Sequence, residues 1–147
     1  MINRSNPNRT FDNAPGRAAQ GNDPVGHRAD DSDTLQIALD IVDAADERKA
    51  ADISVLDVSD VSYLADYFVV MTGLSNVQVR AIARSIQQAI EENWARSPQR
   101  VEGVTDGNWI LLDYGDIIVH VFMPHERDYY GLEAFWGHAR RVNRAAS

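Results

Sequence analysis

Cysteine is absent from the 147-residue sequence, which excludes disulfide bonds, thiol catalysis and thiolate metal sites. Long hydrophobic runs are absent as well, because the densest apolar segments, at 67–71 and 117–123, have the length of a strand rather than that of a membrane span. The first residues, MINRSNPNRTFDN, lack the apolar centre of a signal peptide. We therefore expect a soluble, cytoplasmic protein that does not associate with a membrane.

Basic residues are scarce, because the sequence contains 14 Lys and Arg but 22 Asp and Glu, which gives a net charge of -8. Between positions 34 and 139 the chain has 17 acidic and 7 basic residues, while Arg140, Arg141 and Arg144 form a short basic tail. This balance disfavours direct recognition of nucleic acid, which needs a basic face to displace counterions. An acidic body suits a basic partner, although acidity also simply keeps a protein soluble.

The composition divides the chain into three parts. Residues 1–32 are rich in asparagine, proline and glycine, contain almost no periodic hydrophobicity, and are expected to form a disordered extension. Residues 33–139 carry the periodic pattern and are expected to fold as one domain, because 44% hydrophobic residues suffice for one sizeable core. Residues 140–147 are the basic tail.

Hydrophobic spacing predicts the element order α, β, β, α, β, β, β, α. The first helix should begin at Ser32 or Asp33 and end near position 49, and the second should begin at Ser75 or Asn76 and end near position 96. Strands are predicted at 53–58, 67–72, 100–104 and in both arms of a hairpin within 106–122.

A last helix, predicted within 127–139, would lay an aromatic stripe on the body, formed by Tyr129, Leu132, Phe135 and Trp136. The element order gives an α/β fold with a mixed sheet of about five strands and flanking helices. The long second helix makes the connection between the second and third strands a candidate right-handed crossover.

The hairpin, DGNWILLDYGDIIVHVF at 106–122, is the most informative segment because its two faces differ in chemistry. Its two-residue loop lies at Tyr114 and Gly115 or at Gly115 and Asp116, and both choices leave the parity of every side chain unchanged. One face is aliphatic and carries Ile110, Leu112, Ile117, Val119 and Val121. The other carries Trp109, Leu111, Asp113, Ile118, His120 and Phe122, and is either a second core layer or a docking surface.

Individual residues of the hairpin have competing interpretations. His120 is a candidate acid, base or metal ligand, but no partner pattern accompanies it, which favours a surface or core-edge role. Asp113 and Asp116 could form a carboxylate pair, yet aspartate beside a tight turn is ordinary turn chemistry, and structure or partner contact is favoured over catalysis. Trp109 is either an interface anchor or a residue buried under the C-terminal helix.

The segment TGLSN after the second strand resembles the phosphate-binding turn of nucleotidyltransferases, with Gly73 and Ser75 at the start of a helix. The Asp-x-Asp pair that would hold magnesium does not follow it. A nucleotide-binding enzyme that combines Gly73 and Ser75 with Asp113 or Asp116 remains an alternative.

Five blocks in this order resemble the ribosomal silencing factor family, also called the Iojap family. They are KAADISVLDV at 49–58, LADYFVVMTGLSNVQVRAIA at 64–83, EG at 102–103, WILLDYGDIIVHVF at 109–122, and LEAFW at 132–136 together with Arg127 and Tyr130. The resemblance covers about 35–136, which is nearly the whole region expected to be ordered. The family core does not need the extension before Ser32.

The resemblance implies a nucleotidyltransferase-like fold without the catalytic motif, and a protein that is not an enzyme and binds no cofactor or metal. It implies binding to ribosomal protein number fourteen of the large ribosomal subunit, which blocks association with the small subunit and represses translation under nutrient limitation. Relatives in organelles assist assembly of the large subunit, and free relatives often form homodimers. The family's contact segment corresponds here to Trp109 and Tyr114, with Asp113 and Asp116 as acidic neighbours.

Overall fold

The computed structural model describes residues 31–60, 62–130 and 140–142. Positions 1–30 of the predicted disordered extension and most of the predicted aromatic stripe lie outside these residues. Positions 31 and 32, assigned to the extension by composition, belong to the first helix, which begins at Asp31 rather than at Ser32 or Asp33. The elements are α1 (Asp31–Glu47), β1 (Ala51–Asp57), β2 (Tyr67–Thr72), α2 (Asn76–Trp94), β3 (Arg100–Glu102), β4 (Trp109–Asp113), β5 (Ile117–Phe122), α3 (Pro124–Tyr130) and β6 (Arg140–Val142). The predicted order is confirmed, and β6 adds a sixth strand because it pairs with β1.

The strands form one mixed sheet in the order β3-β4-β5-β2-β1-β6. Among the described strands, β2 and β5 are the one parallel pair, and all other neighbours are antiparallel. Helix α2 leads from β2 to β3, which runs parallel to β2 but lies beyond β5 and β4. The predicted α/β class with a mixed sheet and flanking helices is confirmed.

The main core lies between the sheet and the helices α1 and α2. It holds the apolar stripes of both helices, with Ile41 and Ile86 among the fully buried residues. The predicted aliphatic face of the hairpin is confirmed, because it packs in this core with Ile110, Leu112, Ile117, Val119 and Val121 at 0% exposure. Each such side chain stabilises the fold by roughly 1.5–3 kcal/mol relative to an exposed position.

The ends of α2 follow from local chemistry. The hydroxyl of Ser75 accepts a hydrogen bond from the amide of Gln78, which confirms Ser75 as the cap. The helix ends at Trp94 because Ala95 adopts the left-handed conformation with φ of 52°, and its amide bonds back to the carbonyl of Glu91. None of the helices in the described part of the chain is both long enough and apolar enough to cross a bilayer.

Candidate functional site

The sheet face opposite α1 and α2 carries an aromatic cluster, which we define as Phe68, Trp109, His120 and Phe122. Trp109 on β4 lies directly opposite Phe122 on β5, and their ring centroids are 4.8 Å apart. The His120 ring stacks on Phe122 at 5.9 Å and meets the edge of Phe68 on β2 at 5.2 Å. The period-two alternation of the strands therefore collects these rings on one surface, as the sequence predicts for the hairpin residues.

Trp109 and His120 are joined by a hydrogen bond within this cluster. The indole Nε1 of Trp109 donates to Nδ1 of His120 at 3.2 Å, and the two ring centroids are 6.0 Å apart. His120 is only 5% exposed, whereas Trp109 is half-buried. Burial lowers the pKa of the His120 imidazole from 6.5 to about 4, so the ring is neutral near pH 7.

The hydrogen bond also fixes the tautomer of His120. Because Nδ1 accepts the indole proton, the ring proton of the neutral imidazole lies on Nε2. Nε2 is buried and has no hydrogen-bond partner in the described part of the chain. No group of three His, Asp or Glu side chains among the described residues is arranged to hold a metal ion. His120 is thus a buried, neutral member of an apolar cluster.

The loop before β4 is held by the first turns of α2 and places Trp109 at the start of its strand. Asn76 donates through Nδ2 to the side chain of Asn108 at 2.6 Å and to the carbonyl of Gly107 at 3.2 Å. Arg80 donates to two further carbonyls of the loop, at Val104 and Thr105. A Cβ at Gly103, where φ is +87°, would lie 1.9 Å from the carbonyl oxygen of Trp109, so glycine is required there.

The same end of the sheet carries two exposed aliphatic side chains. Leu74 and Val77 are 69% and 70% exposed, and they lie at the start of α2 on either side of Asn76. The amide of Gly73 donates to the carbonyl of Phe122, the residue opposite Trp109, which places this segment at the Trp109 end of the hairpin. Sequence reasoning missed both residues, although they fall outside the buried stripe that α2 directs at the core.

Asp113 lies on the face of Trp109 but at the other end of β4. One carboxylate oxygen accepts the amide of Gly115 at 2.8 Å, and the other lies 3.4 Å from Nη2 of Arg100. The two-residue loop is Gly115 and Asp116, since the amide of Tyr114 bonds to the carbonyl of Ile117. The observed contacts of Asp113 therefore support the turn, and its predicted contact with a partner stays a prediction.

Asp116 and Tyr114 point toward the helices. Asp116 is 8% exposed, its carboxylate accepts two hydrogen bonds from the guanidinium of Arg96 at 2.8 and 3.2 Å, and it lies 3.4 Å from the hydroxyl of Thr34. Tyr114 is 5% exposed and packs in the main core, with Arg96 5.8 Å from its ring centroid. Burial raises the pKa of the Tyr114 phenol to about 12, against the opposing charge of Arg96.

The predicted contact residues are therefore not gathered at one place. Trp109 begins β4, whereas Asp113, Tyr114 and Asp116 lie at its far end, roughly 13–20 Å away at the usual rise of a strand. The structure places Tyr114 and Asp116 inside the domain, so a partner reaches their side chains only if the turn rearranges. Their contact role stays a prediction, whereas Trp109 is half-buried.

The alternative nucleotide site is also divided by the fold. Gly73 lies at the Trp109 end of the sheet, and a Cβ there would come within 2.8 Å of the Val79 side chain, so close packing explains the glycine. Ser75 caps α2. Asp113 and Asp116 lie at the opposite end of β5, about 15–20 Å away by strand length. The structure does not bring the four residues of the proposed catalytic set together.

The fold and the site define a mixed-sheet α/β domain with an aromatic cluster on the sheet face opposite its two long helices. The chain belongs to the family described as ribosomal silencing factor during starvation, which matches residues 31–147. The resemblance predicted from the five sequence blocks is thereby confirmed.

Individual relatives agree with this assignment. A ribosomal silencing factor of Bacillus subtilis is 45% identical over 96 residues, which cover 65% of this chain and 80% of the relative. The chloroplastic protein Iojap of Zea mays is 38% identical over 121 residues, covering 82% of this chain and 52% of the relative. A crystal structure of a Chromobacterium violaceum protein superposes with a TM-score of 0.69 at 37% identity, covering 78% of this chain and 93% of that one.

Proposed function

We propose that the protein represses translation as a ribosomal silencing factor that is not an enzyme. It binds the large ribosomal subunit through ribosomal protein number fourteen and blocks association with the small subunit when nutrients are limiting. The observation that carries the proposal is the family match across residues 31–147, which includes every described element. Occupying a surface that the small subunit needs is sufficient for this function, so no chemical step is required.

The docking end, defined as Leu74, Val77 and Trp109, is the surface that we propose for this contact. It includes the exposed aliphatic side chains of Leu74 and Val77, at the start of α2, and the half-buried indole of Trp109, which lies on the opposite face at the same end of the sheet. Interfaces favour aromatic anchors and apolar side chains at their centre. Hydrogen bonds from Asn76 and Arg80 on α2 join the start of that helix to the loop before β4.

Charge supports a basic partner. The outer side of α1 exposes carboxylates at Asp43, Asp46 and Glu47, and the whole chain carries a net charge of -8. Such a field attracts a basic ribosomal protein over several ångströms and raises the association rate at low salt. The apparent affinity should therefore fall as salt is added, mainly through slower association.

The proposal is tested by sedimenting purified large subunits with the protein and then adding small subunits. We expect the protein to sediment with large subunits and to lower the yield of joined ribosomes. We expect Trp109→Ala and Val77→Ser each to weaken binding by about tenfold or more, as is typical for a hot-spot residue. Absence of co-sedimentation would refute the function, and binding only to precursor particles would instead support a role in large-subunit assembly.

Trp94→Ala is a matched control for Trp109→Ala. Trp94 is also half-buried, and its indole also donates to an internal acceptor, Asp40, at 2.7 Å, but it is the last residue of α2, at the opposite end of that helix from Val77. Both substitutions remove an indole and one hydrogen bond. If both variants weaken binding equally, the loss reflects general destabilisation, and the docking end is not the binding surface.

A further inference from the structure

The buried imidazole of His120 has a position that an apolar ring would fill equally well. Its ring contacts are the aromatic rings of Phe68, Trp109 and Phe122. Burying a polar ring with an unsatisfied Nε2–H is less favourable than burying a phenylalanine of similar volume. Packing alone therefore does not account for histidine here. The property that phenylalanine lacks is the acceptor at Nδ1.

That acceptor is used by Trp109. The indole N–H needs an acceptor when its side of the ring is covered, and Nδ1 of His120 supplies one at 3.2 Å. The strands place the two residues on a diagonal, because His120 lies opposite Leu111 and Trp109 lies opposite Phe122. The Phe122 ring packs against the indole with centroids 4.8 Å apart and planes tilted by 30°, and the hydrogen bond to His120 restrains the rotation of the indole.

We infer that His120 is a positioning residue, which holds the Trp109 indole in the orientation that meets the basic ribosomal partner. The inference rests on the proposed function, since it assigns a role within the same docking end. His120 does not itself reach the partner, being 5% exposed. Its effect on binding passes through the indole and is lost when the indole is absent.

The first test concerns the folded, unmodified protein and needs no ribosome. Nitrogen NMR of the full chain should show the His120 ring as the tautomer with a proton on Nε2, and the Trp109 indole proton should exchange slowly with solvent. An Nδ1-protonated ring, or an indole proton that exchanges as fast as in an exposed tryptophan, would overturn the inference. The proposed ribosome contact would survive that result.

The second test is a double-mutant cycle on binding to large subunits. His120→Phe keeps the aromatic packing but removes the acceptor, and we expect it to weaken binding about tenfold. His120→Asn keeps an acceptor near the position of Nδ1, and we expect it to restore affinity to within about threefold of the unmodified protein. In a Trp109→Ala background neither substitution should weaken binding further, because the two residues act as a unit.

The outcomes distinguish a failure of the positioning role of His120 from a failure of the docking end as the binding surface. If Trp109→Ala weakens binding but His120→Phe binds as the unmodified protein does, the positioning role is wrong and the docking end stands. If His120→Phe lowers the affinity equally with and without Trp109, the histidine acts through general stability and the inference is also wrong. If Trp109→Ala binds normally, the proposed surface fails, and the positioning role fails with it. Thermal unfolding of each variant is measured in parallel, and binding is compared well below the lowest transition.

Discussion

Acidification from about pH 7.5 to pH 5 should destabilise the protein through His120. The pKa of the ring is about 4 in the folded protein, against 6.5 for an ordinary histidine, because the charged form is buried among aromatic rings. The unfolded chain therefore binds more protons than the folded one between these two values. The stability that His120 contributes is fully present above about pH 6.5 and is lost as the pH falls toward 4.

The magnitude follows from the two pKa values. Between about pH 7.5 and pH 5 the unfolded state gains nearly one proton that the folded state does not, which lowers the free energy of unfolding by roughly 2 kcal/mol. Urea unfolding followed by circular dichroism, repeated at several pH values in this range, measures the change.

His120→Phe provides the comparison, because it keeps the ring and removes the titration. All other ionisable groups are common to both proteins, so the difference between their pH profiles isolates His120. We expect the variant to lose about 2 kcal/mol less than the unmodified protein between pH 7.5 and pH 5. Parallel profiles would refute the reasoning. Should His120→Phe fold poorly, a direct NMR titration of the His120 ring decides the matter, and a titration midpoint above 6 would contradict burial.

Three further predictions follow from the turn and from α2, and each is read as a change in the free energy of unfolding in urea. Tyr114→Phe should lower the free energy of unfolding by less than about 1 kcal/mol and leave ribosome binding unchanged, because the buried hydroxyl has no partner among the described residues. A tenfold loss of binding would indicate direct contact. Asp116→Ala should lower the free energy of unfolding by roughly 2–4 kcal/mol, because it removes the carboxylate that pairs with the charge of Arg96. An unchanged free energy of unfolding would contradict a stabilising role for this ion pair. Ala95→Gly should raise the free energy of unfolding by about 0.5–1 kcal/mol, because glycine adopts the left-handed conformation without strain. A decrease in the free energy of unfolding would contradict the observed cap.

Local sequence patterns were sufficient for most of the elements. The spacing of apolar residues located α1 and α2, and Ser75 marked the start of α2 correctly. The alternation of side chains along each strand correctly assigned the residues on both faces of the hairpin. The pairing of β2 with β5 could not be predicted from the sequence. It joins segments about fifty positions apart, and local patterns do not determine which distant strands pair.

The site shows where reasoning from the sequence was incomplete. The parity that directs Ile110 and Leu112 into the core also directs Tyr114 there, although the resemblance implied a partner contact for Tyr114. The bond between Trp109 and His120 depends on the register, which became known only with the loop at Gly115 and Asp116. Leu74 and Val77 were identifiable from the sequence, because Leu74 precedes the Ser75 cap and Val77 falls outside the buried stripe of α2.

The central position of β5 has a consequence for how the chain folds during synthesis. β5 fills the space between β2 and β4, so β2 has one unpaired edge until residue 122 has been made. During that interval the apolar residues Val69, Val70 and Met71 remain on an open edge, a known template for aggregation. Closing the sheet late, through contacts that are distant along the chain, also slows folding. Fragments that stop before β5 should therefore aggregate, even though they contain both long helices.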